Sequence, residues 1–128
     1  MNDFWCFEVK GKPIPLARAR YTKKGYFYTP AKSRRYERAI RDCALEAGLR
    51  KIRKDEVVKV ELLFVRSDIA RCDIDNLIKG VLDGLRKFFN DNRVYDVWAR
   101  KEKGKDEKTV VLLRYVRVEK KKRKKNKK

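Results

Sequence analysis

The amino-acid sequence predicts a single small domain of the α+β class, with a mixed β-sheet and two main helices. The chain has 128 residues, 42% of them hydrophobic, which is enough for one modest core. Apolar residues recur at spacings of three and four in two segments, as in helices, and alternate in others, as in strands. The predicted order of elements is strand, irregular basic segment, helix, strand, helix, strand, strand, which is typical of α+β or mixed-sheet domains.

The N-terminal half is predicted to hold one strand and one helix. Residues 4–9 are rich in aromatic side chains and form the strand candidate. The helix runs from Pro30 to about Ala47, because proline suits the first position of a helix, and Gly48 ends it. Between the two, residues 18–30 form either a hairpin or an exposed loop around a Lys-Gly turn.

The C-terminal half is predicted to hold a helix and three strands. Residues 57–65 indicate a central strand, because one face is apolar throughout and the other becomes so. Residues 75–88 carry an apolar stripe at helical spacing. Residues 94–101 and 109–118 are predicted to be two antiparallel strands joined by a charged turn.

The chain is strongly basic, with 37 Lys and Arg against 18 Asp and Glu and a formal net charge of +19. Part of this charge lies in residues 119–128, which contain no apolar side chain and are expected to form a disordered basic tail. The folded domain, residues 1–118, is expected to be basic in its own right. Such a charge predicts a polyanionic partner, nucleic acid above all.

Composition also excludes several kinds of site. The chain has no histidine and three cysteines, so a zinc site with four Cys or His ligands and a Ser-His or Cys-His nucleophile cannot be built within one chain. No apolar run reaches the ~18 residues of a membrane helix, and the first residues lack the pattern of a signal peptide. We therefore expect a cytoplasmic protein.

Two closely spaced carboxylates stand out in this basic chain. Asp73 and Asp75 lie where a predicted strand gives way to a helix, and a third carboxylate is available at Asp91. Carboxylates placed in this way can converge on a hard cation such as Mg²⁺. Lys79 lies one helical turn beyond Asp75, where it could contact a phosphate oxygen. The alternative is that the acidic residues only stabilise the helix N-terminus and that Asp75 pairs with Lys79.

The segment before the first helix interleaves basic and aromatic side chains. Arginine suits phosphate contacts, and aromatic rings can stack on unpaired bases. The alternative is a strand whose aromatic side chains face the core. The candidate nucleic-acid contacts are Arg18, Arg20, Lys23, Lys24 and Tyr28.

These motifs, in this order, resemble those of RusA-type Holliday-junction resolvases from about Gly11 to Lys101. The central stretch is Asp73-Ile74-Asp75-Asn76-Leu77-Ile78-Lys79, followed by Leu82-Asp83-Gly84-Leu85 and then by Asp91, Val94 and Lys101. The N-terminal part agrees through Gly11, Pro13, Pro15, Arg18, Arg20 and Tyr28-Thr29-Pro30. Two positions depart from the family pattern: Asn90 replaces the first aspartate of an Asp-Asp pair, and Ala19 replaces a proline between two arginines.

The resemblance implies a homodimeric, Mg²⁺-dependent endonuclease that cuts four-way DNA junctions symmetrically in recombination and repair. It implies that Asp73, Asp75 and Asp91 bind the metal and are catalytic, and that Lys79 takes part in catalysis. Lys101 joins the candidate DNA contacts. The alternative, a non-enzymatic basic nucleic-acid-binding protein, explains the charge but not the carboxylates.

The third carboxylate poses a problem of distance. A straight helix over residues 75–88 is about 20 Å long, so Asp91 would lie at the end remote from Asp73 and Asp75. Either the helix ends early and the chain doubles back, or the partner subunit supplies Asp91. The uninterrupted helical pattern favours the partner subunit.

Overall fold

The longest strand occupies the inside of a four-stranded sheet in the computed structural model, which describes residues 3–16, 20–21, 27–28 and 31–118. The elements in chain order are β1 (Phe4–Lys10), β2 (Arg20–Tyr21), β3 (Phe27–Tyr28), α1 (Ala31–Glu46), β4 (Glu56–Arg66), α2 (Ile74–Gly84), a single 3-10 turn (Asp91–Arg93), β5 (Val94–Lys103) and β6 (Lys108–Arg117). The short strands β2 and β3 pair with each other antiparallel, as a hairpin requires.

The main sheet has the strand order β1-β6-β4-β5. β6 is antiparallel to both β1 and β4, whereas β5 is parallel to β4. Because α2 connects the two parallel strands, β4, α2 and β5 form a strand–helix–strand unit. The sheet is therefore mixed, and the predicted α+β class with two helices is confirmed.

Residues 94–101 and 109–118 lie in strands that run antiparallel, as predicted, but the two strands do not pair with each other, because β4 lies between them. The inward-facing side chains of β6 are almost fully buried, with Val111 and Leu113 at 0% exposure. β5 instead exposes Tyr95, Val97 and Trp98 to 54%, 41% and 50%. β6, whose inward-facing side chains are buried, therefore lies inside the sheet, and β5, which leaves these three side chains exposed, forms its edge.

The hydrophobic core lies between one face of the sheet and the two helices. α1 contributes Tyr36, Ile40 and Ala44 to it, and α2 contributes Leu77 and Val81. Burial of these side chains is the main force that holds the helices on the sheet. Within the described residues, neither helix combines the length and apolarity of a membrane span.

The helix boundaries agree with the sequence at three of four ends. Gly48, with a positive φ of 83°, follows the end of α1 as predicted. α2 ends at Gly84 instead of Phe88. The chain turns there because Phe88 and Phe89 are both buried, at 3% exposure, and the Phe88 carbonyl accepts a hydrogen bond from the Ile52 N–H at 2.9 Å.

Two glycines let α2 approach its neighbours closely. A Cβ on Gly84 would lie 2.9 Å from the carbonyl oxygen of Glu37 in α1, and a Cβ on Gly80 would lie 3.0 Å from the carbonyl oxygen of Ile14. The Leu16 N–H also donates to the Asn76 carbonyl at 2.9 Å. These contacts bring the chain just before the basic N-terminal segment against the first turns of α2.

Candidate active site

Asp73 and Asp75 lie at the point where the chain enters α2. Asp73 is the N-cap residue, with extended backbone angles, and its side chain makes no capping hydrogen bond. Its carbonyl accepts a hydrogen bond from the Leu77 N–H at 3.2 Å, so the main chain begins the helix without the carboxylate. Asp75 Oδ1 accepts a hydrogen bond from the Asn76 N–H at 2.9 Å. Both carboxylates remain exposed to solvent.

The structure does not contain the ion pair between Asp75 and Lys79 that the capping alternative requires. Among the described residues, none of the ion pairs involves Asp73, Asp75 or Lys79. Two exposed carboxylates at one turn fit a Mg²⁺ ion, because Mg²⁺ usually takes one or two carboxylates and completes its shell with water and substrate phosphates. Their oxygen chemistry thus suits a hard divalent cation.

Asp91 does not join this pair within one chain. Asp73 follows the C-terminal end of β4, whereas Asp91 precedes the N-terminal end of β5. Since the two strands are parallel, the two residues lie beyond opposite ends of these strands. The part of the chain that the structure describes contains no group of three or more His, Cys, Asp or Glu side chains that could hold a metal ion.

Asp91 instead lies near Asp83, at the far end of α2. Burial raises the pKa of Asp83, and the neighbouring charge of Asp91 raises it further, while Arg86 and Lys79 lower it. Asp75, Lys79 and Asp83 follow one another at intervals of four and therefore share one stripe of the helix. Sequence reasoning treated Asp83 only as part of a motif, although its spacing from Lys79 was a usable signal.

A cleft between the helices, beside this stripe, is lined mainly by positively charged side chains. It has a volume of about 340 Å³. Its lining residues are Arg34, Glu37, Arg38, Arg41, Asp83, Gly84, Arg86 and Lys87. Five cations therefore face two carboxylates, and Asp83 is already bound to Arg86 at 2.7 Å. Such a surface suits phosphate groups.

Sequence reasoning missed this cleft. The three arginines of α1 that line it, Arg34, Arg38 and Arg41, recur at intervals of four and three, which is a helical signal. The burial of Glu37 beside Asp83, which raises the pKa of Glu37, depends on the packing of α1 against α2 and has no counterpart in the local sequence.

The predicted DNA contacts are only partly visible. Arg18, Lys23 and Lys24 lie outside the described residues, and only the backbone of Arg20 and Tyr28 is described. Lys101 is half-buried, and its ammonium donates to the carbonyls of Ile69 and Cys72. It therefore contacts the chain that leads to Asp73.

Residues 10–114 match the family model described as endodeoxyribonuclease RusA. The matched region starts at the end of β1 and ends within β6, so it contains both helices and every candidate site residue. No curated protein is significantly similar to the chain in sequence.

Proposed function

Because this chain belongs to the RusA endodeoxyribonuclease family, we propose that it is a Mg²⁺-dependent, homodimeric endonuclease that resolves four-way DNA junctions in recombination and repair. The observation that carries the proposal is the exposed position of Asp73 and Asp75, which form no ion pair with any other described residue, in a chain of net charge +19. Positive charge alone would serve a protein that only binds nucleic acid. Carboxylates kept free at one turn are what metal-assisted phosphodiester cleavage adds to it.

The proposed roles follow from the positions of the side chains. Asp73 and Asp75 would hold the divalent cation, which supplies Lewis-acid and water-activating chemistry when bound. Lys79, exposed one turn along the same stripe, would offset negative charge on the phosphate under attack. The arginines of the cleft between α1 and α2 would hold the DNA backbone on either side of the scissile bond.

The dimer is proposed because one chain separates its carboxylates. β5 is the edge strand of the main sheet on the side of α2 and exposes Tyr95, Val97 and Trp98. An antiparallel arrangement of two copies about this edge would bring the two α2 helices side by side. Asp91 of one copy would then approach Asp75 of the other.

A cleavage assay tests this function. A labelled four-way junction and a duplex of matched sequence are incubated with the protein in Mg²⁺ and in EDTA. We expect symmetric nicks in the junction with Mg²⁺, none in EDTA and far fewer in the duplex. Tight binding of both DNAs without cleavage in Mg²⁺ or Mn²⁺ would instead establish the non-enzymatic binding protein.

A further inference from the structure

The loop that leads into the candidate site is held by side chains. Residues 67–72, here called the 67–72 loop, connect β4 to Asp73. Within the described part of the chain, this loop makes no hydrogen bond from backbone to backbone. Its conformation therefore depends on the groups that bind its carbonyls and amides from outside.

The start of the loop is fixed by Arg66 and Glu107. Arg66, 5% exposed, donates to the Asp68 carbonyl at 3.1 Å and to the Asp68 carboxylate at 2.9 Å. The carboxylate of Glu107 accepts from the Ser67 N–H at 2.9 Å and from the Ser67 hydroxyl at 3.1 Å. Both anchors lie several residues before Asp73.

The end of the loop is fixed by Lys101 of β5. Its Nζ donates to the Ile69 carbonyl oxygen at 2.6 Å and to the Cys72 carbonyl oxygen at 2.8 Å. The second acceptor belongs to the peptide bond that joins Cys72 to Asp73. Because β5 is parallel to β4, Lys101 lies beside Phe64, close to the C-terminal end of β4.

Lys101 has two of its three donors bound to these carbonyls. Among the described residues, no carboxylate forms an ion pair with it. A lysine that serves as a phosphate contact keeps its ammonium in solvent, at the end of a flexible side chain. This one is half-buried and bridges two carbonyls of one loop.

We propose that Lys101 is a positioning residue, which fixes the 67–72 loop and thereby the direction in which Asp73 and Asp75 present their carboxylates. The proposal rests on the proposed function in so far as these two aspartates are the reactive pair. Since a misplacement of about 1 Å at a reacting centre can cost roughly 100-fold in rate, release of the loop would affect turnover much more than DNA affinity.

The test compares Lys101→Met with Lys103→Met and Lys101→Arg. Lys103 lies two residues further along β5 on the same face and is exposed, so its substitution removes the same charge without a bond to the loop. Three quantities are measured for each protein: amide hydrogen exchange of Leu77, whose N–H donates to the Asp73 carbonyl directly after the loop, junction affinity in EDTA, and kcat and KM in Mg²⁺.

For Lys101→Met we expect faster exchange of the Leu77 amide, whose acceptor is the Asp73 carbonyl, junction affinity within about twofold of the parent protein, and a fall in kcat of roughly 10- to 100-fold. Lys103→Met should change neither exchange nor kcat. Lys101→Arg, which retains donors for both carbonyls, should recover much of kcat. If Lys101→Met does not fold, as judged by circular dichroism, Lys101→Leu, which also lacks a donor, takes its place.

Two results would overturn the positioning role. One is unchanged exchange of the Leu77 amide in Lys101→Met. The other is a loss of junction affinity in EDTA, with a salt dependence reduced by about one phosphate contact, and with kcat retained. Hydrogen exchange does not depend on catalysis, so a parent protein that cuts no junction in any divalent metal would refute the proposed function while the loop is still tested.

Discussion

At the scale of single residues, the carboxylates of Asp73 and Asp75 differ from ordinary helix-capping groups. A capping aspartate accepts hydrogen bonds from the first free N–H groups of its helix. Asp73 makes no such bond through its side chain, and among the described residues Asp75 accepts only from its neighbour Asn76. Most of their oxygen lone pairs are thus available to a ligand.

The first prediction is that Asp75→Asn abolishes junction cleavage and leaves junction binding intact or tighter. The substitution removes a proposed metal ligand, and it removes one negative charge from a surface that binds phosphates. Gel-shift titration in EDTA and a cleavage time course in Mg²⁺ measure the two effects. Asp106→Asn, which changes an aspartate with an 89% exposed side chain in the turn between β5 and β6, is the matched control. Cleavage by Asp75→Asn at the parent rate would show that this carboxylate binds no catalytic metal.

A second residue-scale feature is the partly buried pair of Arg50 and Glu56. The guanidinium donates two hydrogen bonds of 2.8 Å to the carboxylate and lies over the rings of Trp5 and Tyr115, at 5.6 and 4.9 Å from their centroids. These hydrogen bonds lower the pKa of Glu56 from 4.5 to about 2. The pair links the start of β4 to β1 and β6.

The second prediction concerns acid stability. The pKa of Glu56 is lower in the folded than in the unfolded state, so its contribution to the free energy of unfolding is complete above pH 4.5 and is lost as the pH falls toward 2. The difference between the parent protein and Glu56→Gln should be about 2–3 kcal/mol at neutral pH and should shrink over this range. Urea titrations at several pH values measure it, and a difference that stays constant down to pH 2 would contradict the assignment.

At the scale of elements, the sequence predicted what each segment determines by itself. β4 is apolar throughout on one face and toward its end on the other, and it was correctly predicted to be a central strand. The start of α2 follows from the acidic residues before an apolar stripe. The end of α2 was wrong because Phe88 and Phe89 fit a helical pattern but are buried through a turn. The pairing of β5 with β4 was missed because a local pattern does not identify a strand's partner.

The residues of the candidate site likewise fall into two groups: those that the local sequence places together and those that meet only through packing. Asp73, Asp75 and Lys79 lie within seven consecutive residues, so the turn and the helix place them together. The arginine cleft and the contact of Glu37 with Asp83 arise only when α1 packs on α2. The spacing of residues within one element can show that they share a face, but it does not show which other element packs against that face.

The third prediction tests that packing. Gly84→Ala would place a Cβ 2.9 Å from the Glu37 carbonyl oxygen and 3.0 Å from Ile40 Cβ. Alanine is the better helix former by up to about 1 kcal/mol, yet we expect a net destabilisation of about 1–3 kcal/mol, because α1 must move away. Thermal and urea denaturation measure it. If Gly84→Ala is as stable as the parent protein, α1 and α2 can move apart without loss of stability, and the prediction is wrong.

At the scale of the whole molecule, the parallel pairing of β4 and β5 decides where the three aspartates lie. Asp73 and Asp75 follow the C-terminal end of β4, and Asp91 precedes the N-terminal end of β5, so they lie at opposite ends of these parallel strands. The span of β5 from Val94 to Lys101 alone is about 23 Å at ~3.3 Å per residue. In a dimer with a two-fold axis, Asp91 of one copy can lie beside Asp73 and Asp75 of the other.

The fourth prediction is that two inactive variants restore each other. In a heterodimer of Asp75→Asn and Asp91→Asn, one site would contain both substitutions and the other would contain neither, provided that sites are shared between copies. The mixture should therefore nick one strand of the junction, which a denaturing gel resolves. Mass spectrometry confirms subunit exchange, and a mixture that exchanges but stays inactive would mean that each site is built within one chain.

The separation of Asp91 from Asp73 also has a consequence for how the rate depends on concentration. If one copy holds only part of the ligand set at each end of the parallel strands β4 and β5, cleavage at concentrations below the dissociation constant of the dimer would rise with the square of the protein concentration. Isolated copies bound along duplex DNA would then be harmless to it. A branched DNA that recruits two copies would serve as the place where the nuclease is assembled. Cleavage would then depend on the presence of the substrate.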